Sequence, residues 1–314
     1  MKETVEVSIV LVNYRNVRLT TDCIRSIQNT GAKISYEIIV VDNHSEDGSL
    51  DILKSQFPHL TIVDSGRNGG FAYGNNVGVR LASGKYLLLL NNDTEVKPGM
   101  IDALYRYAES NPKVGMLGCR ALDRNGMELP VAHSYENLKR ILLQTYVKPV
   151  LERIGLQRRL VRMAEEKSDS RTEFQAAQWI AGSAMFIQRD LYNQLGGLDE
   201  NFFMYMEDED LCRRVNAAGY QVGIIPIVGY IHYCGGSTIQ SYFLTKEYIK
   251  SRLIFFMRYE PQNFVRIKRR LYKQIPVVNK DISRDEIRKM VSELDRFVCD
   301  ELPQAARNVK EISK

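Results

Sequence analysis

The sequence predicts an α/β fold with parallel strands, on three observations. Apolar runs of strand length stop abruptly on polar clusters, as do strands buried on both faces of a sheet whose carboxyl edge meets ligands. Segments with helical spacing of apolar residues separate those runs. A chain of 314 residues, 44% of them hydrophobic, suffices for one large α/β domain with an appendage.

The first run, Val7-Ser8-Ile9-Val10-Leu11-Val12, ends on Asn13-Tyr14, and the second, Tyr36-Glu37-Ile38-Ile39-Val40-Val41, ends on Asp42-Asn43. Between them Leu19, Cys23, Ile24 and Ile27 share a helix face and Gly31 stands where a C-terminal cap stops a helix, which makes a β-α-β unit. A helix near Ser49–Gln56, a short strand Leu60–Val63 and a helix near Asn75–Ala82 continue the alternation. Leu87-Leu88-Leu89-Leu90 then ends on Asn91-Asn92-Asp93, and Pro98 opens the next helix, with Ile101, Leu104, Tyr105 and Ala108 on one face. From 120 to 175 the pattern loosens into a turn at Asp123-Arg124-Asn125-Gly126 and a polar stretch through Glu165–Ser170, read as an irregular excursion or lid. Order returns with Gln178–Ile187, a strand interrupted at Gly182, followed by a helix from about Asp208 to Ala218 and a strand over Ile224–Ile231. Residues 1–240 are expected to form the main domain and 241–314 a basic, amphipathic helical segment.

The net charge of +5 is concentrated: residues 246–314 hold 17 Lys and Arg against 10 Asp and Glu, leaving 26 against 28 elsewhere. Arg266, Lys268, Arg269, Arg270 and Lys273 lie close in sequence to Phe255, Phe256, Phe264 and Leu271, a mixture that suits either an anionic membrane surface or a solvated helix face. Nucleic acid is not an expected partner. Five scattered cysteines without a C-x-x-C pair argue against a disulfide framework or a structural zinc site. Met1-Lys2-Glu3 passes directly into a strand-like run, so no signal peptide is expected, and no apolar stretch is long enough to span a bilayer. A cytoplasmic location is expected.

If the strands ending at Asn13, Asp42 and Asp93 are adjacent and parallel, amides and carboxylates line one edge, suited to a base, a ribose and a divalent cation. Asn91 to Asp93 read either as a turn or as part of a metal site. A P-loop is excluded because Gly84-Lys85 lacks the earlier Gly and the following Ser/Thr, and the glycines at 66, 69, 70 and 74 do not make G-x-G-x-x-G. Arg67-Asn68-Gly69-Gly70-Phe71-Ala72-Tyr73-Gly74-Asn75-Asn76 reads either as a close backbone approach to hydroxyls and phosphates or as a Gly-rich turn into a helix. Glu207-Asp208-Glu209-Asp210 crowds four carboxylates after aromatic residues. That can raise one pKa and make a general base, or simply cap a helix and complement its dipole. His232 at a strand end can complete a metal shell that a carboxylate begins, or be structural.

The order of these motifs resembles family 2 glycosyltransferases, in particular the rhamnosyltransferase-like enzymes of bacterial surface-polysaccharide assembly. The resemblance is carried by Val41-Asp42-Asn43 with Ser45 and Asp47-Gly48-Ser49, by Asn68 to Asn76, and by Leu90-Asn91-Asn92-Asp93-Thr94. It continues through Gly196-Gly197-Leu198-Asp199-Glu200, Phe202 to Arg214, and His232 with Gly235 and Ser237, over residues 5 to 240. It implies a GT-A fold with a mostly parallel mixed sheet and an inverting transfer of a sugar, such as L-rhamnose from dTDP-L-rhamnose, to a glycan hydroxyl. It further implies donor contacts at Asn13, Tyr14, Asp42, Asn43, Arg67, Asn68, Asn75 and Asn92, and an acceptor side at Trp179, Gly182 and Glu207. Asp208 is implied as the base, with Mg²⁺ or Mn²⁺ on Asp93 and His232. Asn91 departs from the family's Asp-x-Asp, which leaves one carboxylate for the metal and makes the shell depend on the donor diphosphate. The acceptor would be a glycan, free or lipid-linked. The C-terminal segment would dock on the inner face of the cell membrane or mediate self-association. A nucleotidyltransferase is disfavoured because Asn13-Tyr14-Arg15-Asn16 has no glycine, and a degenerate binding module because Asp93, Asp208 and His232 are all present.

Overall fold

The computed structural model describes residues 5–143, 174–233 and 241–305. These divide into two compact units, one built from residues before 135 together with 175–233, the other from 135–143, 174 and 241–305. Most of the stretch read as a lid, along with Gly235 and Ser237, lies outside the described residues.

The first unit is a large mixed sheet with helices. Strands β1 (Val7–Asn13), β2 (Tyr36–Asp42), β3 (Thr61–Asp64) and β4 (Tyr86–Asn91) lie in the order 3-2-1-4 and are mutually parallel. Residues Leu87 to Leu89 of β4 are wholly buried, as are Ile9 to Leu11 of β1 and Ile39 to Val41 of β2, so these strands form the core of the sheet. Beyond β4 come the antiparallel β11 (Ala184–Gln188), then β6 (Val114–Leu122), β12 (Gln221–His232) and the short β5 (Thr94–Val96). β7 (Glu128–Leu129) returns on β6 and β9 (Gln175–Ala177) on β12, while β8 (Ala132–His133) pairs with β10 (Trp179–Ile180). Two registers matter for the site: Asn13 is opposite Asp42, and His232 is opposite Thr94. The second brings the end of the chain's last strand against the residue that follows Asp93.

Helices α1 (Val17–Gln28), α2 (Ser49–Gln56), α3 (Gly70–Val79) and α4 (Met100–Ser110) follow β1, β2, β3 and β5. α3 begins five residues earlier than the spacing of apolar residues predicts, because its first turns lie on β1 through glycine. A Cβ on Gly74 would lie 2.7 Å from Val12 Cγ1 and one on Gly78 2.4 Å from Val10 Cγ1, so the helix rests directly on β1. α4 starts at Met100 after Gly99 in the left-handed region, and Pro98 therefore precedes the helix instead of opening it.

The second unit contains α5 (Leu138–Leu142), α8 (Tyr242–Tyr259), α9 (Phe264–Val278), α10 (Arg284–Asp300) and α11 (Leu302–Ala305); α6 (Arg189–Gln194) and α7 (Glu207–Ala217) belong to the first. Its core is Ile249, Leu253 and Phe255–Phe256 of α8, Phe264, Ile267, Leu271 and Ile275 of α9, and Met290, Leu294 and Phe297 of α10. The structure corrects one reading here: Phe255, Phe256, Phe264 and Leu271 fill this core and are not a surface beside the cations. Residues 135–143, taken from sequence as part of the main domain, join this unit. Buried Ile141 and an ion pair between Glu136 and the buried Arg252, 2.8 Å, hold them there. Among the described residues no helix is long and apolar enough to cross a membrane.

Candidate active site

The three parallel strand ends are joined by one chain of hydrogen bonds. Asn92 Nδ2 donates to Thr20 Oγ1 at 2.8 Å, Thr20 Oγ1 donates to Asn13 Oδ1 at 2.7 Å, and Asn13 Nδ2 donates to Asp42 Oδ1 at 2.6 Å. Asp42 also accepts from the Ser45 backbone N–H and hydroxyl. Asn43 donates to Asn68 Oδ1 and the Gly70 carbonyl, and its own oxygen accepts from Ser65. Asn13, Asp42 and Asn43 are buried, so the polar groups expected to touch a donor directly are largely committed to one another. They form the floor of the site. The exposed groups above it are Tyr14, with the Arg15 guanidinium 5.3 Å from its ring centroid, and Arg67, which stacks on Tyr73 at 4.4 Å. Asn75 is not brought to this edge: it is buried within α3 and donates to that helix's own Phe71 carbonyl.

Sequence reasoning missed Thr20 as the link between strand ends, and Arg15, whose backbone N–H and guanidinium both bond Ser45. It also missed that Arg15, His44 and Glu46 all have positive φ, at 50°, 58° and 53°. Each such non-glycine residue costs about 1–3 kcal/mol and clusters of them mark functional loops. No residue type in the sequence signals this, since any side chain can be forced into that region by its surroundings.

At the same carboxyl end of β4, His232 Nε2 lies 3.0 Å from Asp93 Oδ1, and Asn91 Nδ2 is 3.4 Å from the same nitrogen. The Tyr233 N–H donates to the Asp93 carbonyl at 3.0 Å and fixes the strand end. One carboxylate oxygen and one imidazole nitrogen converge on a partly accessible point, which fits part of a divalent shell, with Mn²⁺ taking both donor types. Among the described residues no third His, Cys, Asp or Glu joins them. Asp93 also borders a cleft of about 740 Å³ lined by Arg18, Asp22, Arg25, Lys97 and Tyr233, a volume in the range of small-molecule sites.

The four successive carboxylates are sorted by α7. Glu209 pairs with Arg213 and Asp210 with Arg214, each one turn along the helix, and Arg214 also donates to the Leu195 and Gly197 carbonyls. Those two acids are structural. Asp208 accepts from the Gly182 N–H at 2.9 Å and from the Glu209 N–H at 2.8 Å. The adjacent Ser183 carbonyl accepts from the Asn91 N–H at 3.0 Å, so a single turn, Gly182–Ser183, ties Asp208 to the end of β4. Neither Asp208 nor Glu209 serves as the cap; the N-cap is Met206, without a side-chain bond. Tyr205 and Met206 both have positive φ, 69° and 73°, at the entry to the helix. Trp179, on the neighbouring β10, stacks on His133 at 4.3 Å and donates to the Ser134 carbonyl.

Burial raises the pKa of Asp208, and burial together with the Asp208 charge holds Glu207 well above the carboxylate range. The two backbone N–H donors favour the charge on Asp208, whereas Glu207 Oε2 is buried without a hydrogen-bond partner. Glu207 is therefore the harder of the two to ionise. A raised folded-state pKa contributes stability that is complete below the ordinary value of 4.5 and lost as pH rises through the folded value. Glu207→Gln should thus melt with the wild type at pH below that ordinary value and above it as pH increases. Melting curves against pH test this, and an equal or lower melting temperature at alkaline pH would refute a protonated Glu207.

A sequence model of "Glycosyl transferase family 2" matches residues 8–193, more than half of the chain. The chain is 28% identical over 214 residues to the N-acetylglucosaminyl-diphospho-decaprenol L-rhamnosyltransferase of Mycobacterium tuberculosis, covering 64% of this chain and 67% of that protein. It is 30% identical over 207 residues to the rhamnosyltransferase WbbL of Escherichia coli, covering 63% and 73%. Among solved structures, S. aureus TarS 1-349 aligns over 98% of this chain and 76% of its own, with TM-score 0.50 and 14% identity. The same fragment in complex with UDP aligns over 94% and 72%, with TM-score 0.51 and 12% identity.

Proposed function

The chain belongs to glycosyl transferase family 2, among its rhamnosyltransferase-like members, and has the GT-A fold. From that premise we propose that it transfers L-rhamnose with inversion from dTDP-L-rhamnose to a hydroxyl of a lipid-linked glycan. The observation that carries the reading is the Gly182–Ser183 turn, which links Asp208, a carboxylate with no cationic partner among the described residues, to the strand end that bears Asp93 and His232. Asp208 accepts the acceptor proton as the hydroxyl oxygen bonds to the anomeric carbon. The bond from that carbon to the diphosphate oxygen breaks on the opposite face, and the nucleoside diphosphate leaves with the electron pair. Tyr14, Arg15 and Arg67 cover the donor nucleotide above the Asn13–Asp42–Asn43 floor. Asp93 and His232 would hold a divalent cation, whose charge offsets that of the leaving diphosphate.

The names of the relatives support rhamnose as the sugar and a lipid diphosphate as the acceptor anchor. A panel of nucleotide-sugars tested for transfer and hydrolysis decides the donor: the expected result is turnover of dTDP-L-rhamnose above UDP-sugars, and a preference for a UDP-sugar overturns the rhamnose assignment. Asp93→Ala is expected to lower turnover on the order of 10²-fold. It should also abolish the thermal stabilisation that Mn²⁺ with nucleoside diphosphate gives the wild type, while leaving the metal-free melting temperature in place. Retained metal-dependent stabilisation would remove Asp93 from the metal shell.

A further inference from the structure

Helix α9 has two faces of opposite character. Phe264, Ile267, Leu271 and Ile275 are buried. On the other side Val265, Arg266, Arg269, Lys273, Pro276 and Val277 are all exposed, and at 100° per residue they fall on a single arc of roughly a third of the circumference. The helix contains no Asp or Glu, so nothing on it neutralises these cations. Lys268, on the flank, is instead consumed by Asp295 of α10 at 2.8 Å. Val265 is 61% and Val277 70% exposed, two of the three most exposed large hydrophobic side chains among the described residues. They bracket the three cations over about 18 Å of helix.

We propose that this face of α9 docks the protein on an anionic lipid bilayer. The charge is of the right sign and is local, since the chain outside residues 246–314 carries a slight acidic excess. A solvated helix face accounts for the cations but not for two valines held in water at its ends. A polyanion surface has the same difficulty, because nucleic-acid binding draws on cations and aromatic or polar groups rather than bare aliphatic ones. A bilayer uses both: headgroup phosphates meet Arg266, Arg269 and Lys273, and Val265 and Val277 enter the interface. The inference stands on the second unit alone and does not rest on the catalytic reading.

Sedimentation of the full chain with vesicles tests it without any measurement of turnover. The wild type should bind phosphatidylcholine vesicles containing about a third phosphatidylglycerol and leave pure phosphatidylcholine vesicles in the supernatant. Each cation is expected to contribute roughly fivefold to partitioning, so combining Arg266→Ser, Arg269→Ser and Lys273→Ser should weaken it about a hundredfold. Val265→Ser with Val277→Ser should weaken it severalfold even at high salt. Arg288→Ser, at an exposed position on α10 paired with Asp285, should leave it unchanged. Wild-type binding by the triple variant, equal binding to uncharged vesicles, or an Arg288→Ser loss matching that of Arg269→Ser would each overturn the proposal. An inert valine pair combined with full competition by single-stranded RNA would overturn it in favour of a polyanion surface.

Discussion

Asp208→Asn should lower transfer about 10²–10⁴-fold and leave donor binding intact. The amide keeps the size of the side chain and can still accept from the Gly182 N–H, but it has no carboxylate to take the acceptor proton. The effect should therefore appear in kcat, with the donor dissociation constant unchanged by calorimetry. Because burial raises the pKa of Asp208 above its ordinary 3.8, wild-type kcat/KM should rise with pH along an acid limb centred above that value. Below the limb Asp208 is protonated and inactive as a base; above it the carboxylate is available. Full turnover by Asp208→Asn, or an acid limb that persists in that variant's residual rate, would assign the proton to another group.

Gly70→Ala should be the most disruptive single-methyl change in the first unit. Gly70 has φ +82°, and a Cβ there would lie 1.8 Å from the Phe203 carbonyl oxygen, which accepts from the Phe71 N–H at 2.8 Å. The left-handed backbone costs alanine about 1–2 kcal/mol and the overlap about 1–3 more, or a loss of roughly 5–15 °C in melting temperature at this size. Gly66→Ala is the matched control: φ is +78° but nothing stands within 4 Å of the added carbon, so only the backbone cost remains. The same methyl group also pushes on the segment that enters α7 through Tyr205 and Met206, so kcat should fall in Gly70→Ala even at temperatures where it is folded. Equal melting temperatures for the two alanine variants would show that the Phe203 contact yields at no cost.

The sheet was legible where burial writes continuous apolar runs. β1, β2 and β4 stand out because parallel strands bury both faces, and their polar ends mark the carboxyl edge. The start of helix α3 was not legible because Gly74 and Gly78, which lay it on β1, and Gly70, which meets the Phe203 backbone, carry no hydrophobic signal. The basic segment of α9 was recognised by its charge, but which apolar neighbours face outward follows from the helical phase against α8 and α10, a tertiary fact. At the site, the residue types pointed to Asp93, His232 and Asp208. The sorting of Glu207 to Asp210 did not follow from sequence, because it depends on Arg213 and Arg214 one turn later and on a glycine N–H from the distant Gly182–Ser183 turn. Asn75 misled for a related reason: an amide beside glycines looks available, yet its phase on α3 turns it inward.

Asp93 and His232 are separated by 139 residues and meet only through the pairing of β12 with β5. Contacts of such long sequence separation form late, since the loop they close must be ordered first. The pair proposed to hold the metal is thus a timer on assembly: during refolding, the parallel half of the sheet can be complete while the proposed ion site is still unmade. Protection of β4 amides from exchange should accordingly precede the response to Mn²⁺, and a chain stalled before β12 docks would carry a finished nucleotide floor with no means of holding a diphosphate above it.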